Sequence, residues 1–392
     1  MTTQSAMARQ RAARPLRVEM VLPSLEPGGQ ELVVVRLARE LSARGHDVGV
    51  TVTMEEGSLA TGLRDAGHDI ALVPAPGLKT NWRAPSLITR FAQRQPDVVH
   101  VHSGVWLKAA RAARAAGTRR VIHTVHGLLD REPWYGDTLK RLAARATDVV
   151  VAVSDPLHRY LVDDVRLQPG QVVTVINGVD TSTYHPGNRV GPLRQRLGIS
   201  SDSIVVGHVA RLAPIKNQIL LIDSFAAFRR QFENAHLVIV GDGPERASLE
   251  RRIHELSLEA SAHLVGTFDD TAPLYREFDV FVLCSRAEGT SMSILESMAS
   301  GVAVIATEVG GNPALLDGGS CGVLVPSENK DALVGALTRL ATNETDRLTC
   351  ARAARRRAES VYAESRVVDR YVDLYNAGVS RTTSTESQQC VG

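Results

Sequence analysis

The sequence predicts an α/β protein of two doubly wound parallel-sheet domains. Three observations lead there. Short Val/Ile-rich runs alternate with helix-patterned segments from end to end, the pattern of strand–crossover–strand units in a parallel sheet. The alternation breaks once, at a turn-rich stretch, and then restarts. Apolar content is 44% but aromatics are only 4%, so alanine, valine and leucine supply the surface to be buried, as suits parallel sheets under helices. A length of 392 residues leaves room for two or three domains.

In the first half the strand candidates are Arg17–Leu22, Val48–Thr53, Ile70–Pro74, Val98–His102, Val121–Thr124, Val149–Ser154 and Val172–Ile176. Helix-like segments lie between them at Glu31–Arg44, Pro85–Gln95 and Val105–Ala116. Tyr184-His185-Pro186-Gly187-Asn188, followed by Gly191-Pro192, is rich in turn formers and reads as the interdomain linker. Strand candidates resume at Ile204–Ala210, His236–Gly241, Ala262–Leu264, Val280–Leu283, Val302–Thr307 and Gly322–Val325, with helical segments at Asn217–Phe232 and Lys330–Thr342. Two more helical patterns, near Asp346–Val361 and Ser365–Asn376, close the chain. Residues 1–15 are basic and 379–392 polar and Ser/Thr-rich, and both ends are expected to be disordered.

Composition excludes several classes. No two of Cys284, Cys321, Cys350 and Cys390 stand in Cys-x-x-Cys spacing, so neither a disulfide framework nor a structural zinc is expected, and a reducing cytoplasm is the natural compartment. No apolar segment follows Arg9, Arg11 and Arg14 as in a secretory signal, and no run approaches the roughly 18 apolar residues that span a bilayer. Residues 1–190 carry 24 Lys/Arg against 18 Asp/Glu, whereas the remainder carries 21 against 25. A basic first half can attract an anionic ligand or membrane surface, and ordinary solvated arginines explain the same numbers. Lys108, Arg111 and Arg114 recur three residues apart on one helix, near one face, and are the candidate for peripheral contact with the inner membrane. No nucleic-acid partner is expected.

Doubly wound sheets bind ligands outside the carboxyl ends of their strands, and two such domains enclose a cleft, so the loops after strands carry the chemistry. After the first strand, Gly28-Gly29 precedes a helix expected to start near Glu31. Such a pair lets backbone N–H groups approach a phosphate at the positive helix end, or simply makes a tight turn. His100 and His102 share one strand face, His123 lies in the next strand, and His126-Gly127 sits just past its end, where an active-site group would lie. In the second half Arg211 and Lys216 occupy one strand-to-helix loop, where a planar fork and a point charge suit a pyrophosphate.

The segment Glu288-Gly289-Thr290-Ser291-Met292-Ser293-Ile294-Leu295-Glu296 follows the strand Val280–Leu283. A carboxylate and a glycine open it, small polar residues continue it, and a second carboxylate lies within the helix to come. On a single helix the two glutamates would stand roughly 12 Å apart, too far for the roughly 5 to 9.5 Å of a glycosidase acid/base pair. They read as two grips on one ligand, although Ser293-x-x-Glu296 also reads as a capping box. No Asp-x-Asp pair offers clustered acids for Mg²⁺, so no metal site and no bound cofactor are expected.

Taken in order, Gly28-Gly29-Gln30-Glu31, Arg44-Gly45-His46, Pro96 to His102, His123 to Gly127, Val151 to Ser154, Asn177-Gly178-Val179-Asp180, Arg211 with Lys216, Val240 to Pro244, and Glu288-x7-Glu296 with Met298 to Gly301 resemble the retaining, metal-independent glycosyltransferases of family 4 with the GT-B fold, two Rossmann-like domains facing a cleft. With Val309-Gly310-Gly311-Asn312-Pro313 downstream, the chain is similar to the bacterial exopolysaccharide-biosynthesis type, departing from many relatives in having Thr290-Ser291 where they have Phe-Gly.

That resemblance implies an acceptor domain at 16–186, a donor domain at 187–357 and a terminal helix at 358–378 crossing back to the first domain. It implies transfer of a sugar from a UDP- or GDP-sugar to a glycan or lipid-linked saccharide. Arg211 and Lys216 would hold the diphosphate, Glu296 the ribose and Glu288 the sugar hydroxyls, with Gly289, Thr290 and Ser291 lining the donor. Gly28 and Gly29 would approach the phosphate, and His126 would reach the transferred sugar. A nucleotide-sugar epimerase of the same architecture is the alternative. A silent scaffold could lose Arg211, Lys216, Glu288 or Glu296, and all four are present.

Overall fold

The computed structural model describes residues 14–75, 83–127 and 135–377. The disorder expected of the two ends falls on residues 1–13 and 378–392, outside the described residues. The chain forms two compact units. The first takes the chain up to Ala152, then Arg159–Val173, then everything from Val368 onward; the second takes Val153–His158 and Thr174–Val367. The turn-rich stretch 184–188 lies in the second unit, and the chain re-enters the first within its last helix, Glu364–Asn376.

The first unit holds β1 (Arg17–Ser24), β2 (Asp47–Glu55), β3 (Asp69–Leu72), β4 (Val98–His102), β5 (Arg120–Val125), β6 (Val149–Ala152) and β7 (Val172–Thr174). Their order across the sheet is β3-β2-β1-β4-β5-β6-β7. The second holds β8 (Val205–Val209), β9 (His236–Val240), β10 (Ala262–Gly266), β11 (Val280–Leu283), β12 (Ala303–Thr307) and β13 (Val323–Val325), in the order β10-β9-β8-β11-β12-β13. The pairings are parallel, for example Val18 with Val98 and Val280 with Val206. Each sheet therefore reverses its winding once, between β1 and β4 and between β8 and β11. A crevice opens at such a switch point, and ligands use it.

Both faces of the second sheet are covered, which is why its strands read as unbroken apolar runs. Val280 and Val282 pack with Leu221, Phe225, Phe228, Leu333 and Leu337 on one face. Phe281 and Leu283 pack with Ile294, Leu295, Met298, Ala354 and Ala358 on the other. The period of two along one strand thus feeds two separate cores.

Most of the described lysines and arginines of the first half are exposed or half-buried, and two of the arginines serve a buried acid. Glu19 is fully buried in β1 and accepts from Arg90 Nε at 3.0 Å and Arg94 Nε at 3.2 Å. The helical stripe read as a membrane contact is also corrected. Lys108 is buried and its ammonium donates to the Ala75 carbonyl at 3.3 Å. Arg114 pairs with Asp148 at 2.6 Å and donates to the carbonyls of Ala146 and Thr118. Spacing placed the three residues near one face, but the helix Trp106–Ala115 is buried on most sides, so that face is not a free cationic surface. Among the described residues no helix is long and apolar enough to cross a membrane.

Candidate active site

The strand order brings the candidate donor residues of the second unit together. Arg211 and Lys216 follow β8 and Glu288 follows β11, and β8 and β11 are the neighbours that flank the switch point. After β8 a single tight turn, Pro214–Lys216, leads to Asn217 in the left-handed region (φ 52°), and the helix Gln218–Arg229 starts there. The turn is bolted down by its neighbour loop. Arg286 N donates to the Ile215 carbonyl at 2.8 Å and its Nη1 to Pro214 at 2.7 Å. The Cys284 thiol donates to the Asn217 carbonyl at 3.2 Å, and burial pushes that thiol up to about 12, so it is a structural donor and not a nucleophile.

Lys216 Nζ lies 2.6 Å from Glu288 Oε1. Ser285 Oγ donates to the same oxygen at 2.6 Å. The Glu288 side chain is 8% exposed. Arg211 stands apart: it is exposed, and among the described residues no carboxylate pairs with its guanidinium.

The two glutamates do not share a helix. Ser291 is the N-cap of Met292–Ala299, its Oγ accepting from Ile294 N at 3.3 Å, so Glu288 stands in the preceding loop. The roughly 12 Å estimate, which assumed one helix, therefore has no bearing on their separation. The capping-box alternative also fails. Ser291 and not Ser293 caps the helix, and Glu296, 7% exposed, accepts instead from Tyr275 OH at 3.0 Å. Thr290 Oγ1 donates to the Val153 carbonyl, and the Gly289 carbonyl accepts from Gly311 N at 3.0 Å.

Gly310 explains the adjacent glycine pair. Its φ is +54°, and a Cβ there would collide with the Glu288 carbonyl oxygen. Gly310→Ala is expected to displace the Glu288 loop, cost about 1–3 kcal/mol of backbone strain and reduce turnover more than tenfold. Kinetics and a thermal melt of the variant check this, and near-normal turnover would show that the loop need not be held.

In the first unit, Gly28 is the extended N-cap of the helix Gly29–Ala43, which starts two residues earlier than expected. A side chain at Gly28 would strike the Glu31 carboxylate, whereas position 29 faces open space. Glu31 accepts from Gln30 Nε2 at 3.1 Å, and burial raises its carboxyl. This helix start thus already carries an acid in its first turn, which favours the dipole and competes with any phosphate.

The four histidines form one buried cluster. His100 and His102 lie ring to ring at 4.1 Å, as a shared strand face requires. His100 Nδ1 meets Tyr375 OH at 2.7 Å and its Nε2 meets Thr124 Oγ1 at 2.8 Å. His123 bonds the Val101 carbonyl at 3.0 Å and stacks on Trp106 at 4.0 Å. His126 Nε2 lies 3.0 Å from His102 Nδ1. Burial lowers all four, His100 to about 3 and His126 to about 4, so the rings are neutral near pH 7. Among the described residues no three His, Cys, Asp or Glu are grouped to hold a metal.

These rings make stability depend on pH. Their folded values lie below the unfolded value of about 6.5, so the unfolded chain takes up protons first. Stability is complete above that value and drains away as the pH falls from 6.5 toward 4. His208, buried in β8 and lowered to about 4, adds in the same direction. Calorimetry from pH 7.5 to 4.5 should show a steadily falling Tm, and a flat Tm over that range would refute the account.

Tyr275 and Tyr375 carried no motif signal, because each earns its place through a partner outside its own stretch of sequence, Glu296 and His100. Gly310-Gly311 did carry one, as a glycine pair.

The family model "Glycosyltransferase Family 4" matches residues 27–183, and "Glycosyl transferases group 1" matches 191–357. An Escherichia coli UDP-Gal:alpha-D-GlcNAc-diphosphoundecaprenol alpha-1,3-galactosyltransferase is 26% identical over 301 residues, covering 74% of this chain and 78% of that protein. A D-inositol 3-phosphate glycosyltransferase from Saccharomonospora viridis is 27% identical, with 93% of each chain covered. Anabaena HepE, solved in complex with UDP, superposes with a TM-score of 0.81 at 22% identity, covering 92% of this chain and 100% of its own, a likeness of fold. The epimerase alternative gains no support from these relatives. Two adjoining family models across two Rossmann-like units, with relatives that are glycosyltransferases along most of their length, establish that the chain belongs to the family 4, group 1 glycosyltransferases of the GT-B fold.

Proposed function

We propose that this glycosyltransferase moves a sugar from a UDP- or GDP-sugar to a glycan or lipid-linked saccharide, with retention at the anomeric carbon, in polysaccharide or exopolysaccharide assembly at the inner face of the membrane. The carrying observation is the Lys216–Glu288–Ser285 group at the β8/β11 switch point, with the exposed Arg211, which pairs with no carboxylate among the described residues, on the same loop. Lys216 and Arg211 meet the diphosphate. Both contacts to Glu288 fall on Oε1, which leaves Oε2 for a hydroxyl of the sugar. Glu296, oriented by Tyr275, takes the ribose. Gly289, Thr290 and Ser291 shape the loop around the donor, Gly28 and Gly29 approach its phosphate, and His126 meets its sugar.

In the reaction the bond from the anomeric carbon to the phosphate oxygen breaks, and its electron pair stays on the diphosphate. The acceptor hydroxyl bonds to that carbon on the same face, and its proton passes to the leaving phosphate. The developing charge is met by Arg211 and Lys216, so no metal is called for. The named specificities of the relatives support this donor and acceptor class: UDP-galactose and a diphosphoundecaprenol-linked sugar for the Escherichia coli enzyme, UDP and UDP-glucose in the Anabaena structures.

The test is a melting screen against UDP-glucose, UDP-galactose, UDP-N-acetylglucosamine and GDP-mannose with EDTA present, followed by transfer assays and NMR of the product. A stabilising donor and an α-linked product from an α-linked donor are expected. Inversion, or turnover only with added Mg²⁺, would overturn the mechanism.

A further inference from the structure

We propose that Thr307 is a positioning residue: its hydroxyl holds the Ser285 carbonyl, and through Ser285 it sets where the Glu288 carboxylate stands against the donor sugar. The inference rests on the reading of Glu288 as the grip on that sugar. Every residue it uses lies in the second unit.

Glu288 sits between two anchored carbonyls. Thr307 Oγ1 donates to the Ser285 carbonyl at 2.7 Å, and Gly311 N donates to the Gly289 carbonyl at 3.0 Å. Both donors belong to the end of β12 and the loop that leaves it. Asn312 closes that loop on itself, its Nδ2 donating to the Thr307 carbonyl at 3.0 Å. Thr307, Ser285 and Asn312 are all fully buried, so this frame is dry. The ladder between β11 and β12 explains why a side chain is needed. Backbone pairing runs from Val280 with Ala303 to Leu283 with Ala306 and stops there. Ser285 lies beyond that last pair, and the amide after Thr307, Glu308 N, is turned away to the Val325 carbonyl at 2.9 Å. A buried carbonyl needs a donor, and the threonine hydroxyl supplies it.

The direction of the relay is fixed. A carbonyl and an ionised carboxylate only accept. The Thr307 proton is therefore committed to the Ser285 carbonyl, and the Ser285 hydroxyl proton to Glu288 Oε1 at 2.6 Å. Glu288 is half-buried, so Oε2, which none of these bonds uses, stays open to a sugar hydroxyl. Without the Thr307 hydroxyl the Ser285 carbonyl is stranded in a dry site, and the backbone from 285 to 289 must shift to satisfy it. A carboxylate displaced by about 1 Å loses its aim, and misplacement on that scale costs up to about 100-fold in rate.

The test uses the full-length protein and whichever of the four sugar nucleotides named above gives the largest melting shift. Thr307→Val keeps the side-chain shape and removes the proton. It should lose about 10–100-fold in kcat. It should bind the matching UDP or GDP without sugar as the wild type does. Thr307→Ser keeps the hydroxyl and should return kcat to within about threefold of wild type. Ser285→Ala should lose a factor similar to that of Thr307→Val, and combining the two should add less than about threefold, because both act on one carboxylate. A purely structural threonine would weaken UDP and sugar nucleotide alike, or lower Tm and leave kcat unchanged. Either result overturns the positioning role, and so does a double variant whose losses multiply in full. Should Thr307→Val lose its fold, Ser285→Ala decides alone: a tenfold loss supports the relay, and a wild-type kcat breaks it. Glu288→Ala separates the two readings. If it turns over like the wild type, or if none of the four donors shifts the melt, the sugar grip and the inference both fall. If it is inactive while Thr307→Val is unaffected, the inference alone falls.

Discussion

Lys216→Met is expected to lower kcat about 10²–10³-fold, the cost typical of removing one preorganised donor from a site of developing charge. Methionine keeps the apolar stem and deletes the ammonium that lies 2.6 Å from Glu288. The loss is twofold in origin. The leaving diphosphate loses a cation, and Glu288 keeps only Ser285 to aim it. The fold should survive, because the Pro214–Lys216 turn is held by Arg286 and Cys284 through backbone atoms and not through the lysine side chain. Lys216→Arg should rescue poorly, since a planar fork does not replace a point charge on a single carboxylate oxygen. Steady-state kinetics with a matched melt make the measurement. A kcat within fivefold of wild type, in a protein that melts normally, would remove Lys216 from the site.

Arg194→Met is expected to destabilise the second unit by about 3–5 kcal/mol, as for other buried ion pairs that lose one partner. The Arg194 side chain is 1% exposed and meets Asp279, 4% exposed, at 2.8 Å. It also donates to the carbonyls of Glu277 at 3.0 Å and Ser203 at 3.2 Å. Asp279 in turn accepts from Val205 N at 2.8 Å, so the pair ties the start of β8 to the start of β11. Removing the guanidinium leaves a buried carboxylate with Arg189 as its cation and strands several carbonyls. A Tm lowered by roughly 10 °C should result for a unit of this size. Equilibrium urea unfolding gives the free energy, and a change below 1 kcal/mol would show that Arg189 and water compensate. The same pair sets the register of the two strands whose far ends carry Lys216 and Glu288, so donor affinity should fall with stability.

Much of this was legible in the chain. Among the described residues all thirteen strands fall on the Val/Ile-rich runs, and inner strands such as β6, β11 and β12 are buried throughout, with no polar alternation to blur them. The long helix Lys330–Thr342 has the bounds expected of it, and in the structure the Asn329 side chain caps it by accepting from Ala332 N. The candidate residues were legible too, because ligands meet such sheets at loops after strands, and those loops hold the glycines, cations and carboxylates. The start of the helix after Glu288 was not legible. Ser291 and Ser293 are equally good caps in sequence, and only the loop contacts of Gly289, Thr290 and Gly310 select the first. The cationic stripe at Lys108, Arg111 and Arg114 failed for a related reason, since spacing gives a face and burial depends on what packs against it.

The sequence by itself determined the two doubly wound units and the family and marked candidate residues for a nucleotide-sugar, because those follow from local periodicity, motif order and residue types at strand ends. The tertiary structure alone decided their partnerships. Lys216 meets Glu288 across 72 residues because β8 lies beside β11. Glu296 meets Tyr275, and His102 meets His126, through packing that no local pattern encodes. Strand order is chosen by how whole cores bury, and a hydrogen bond between distant side chains exists only once that order is set.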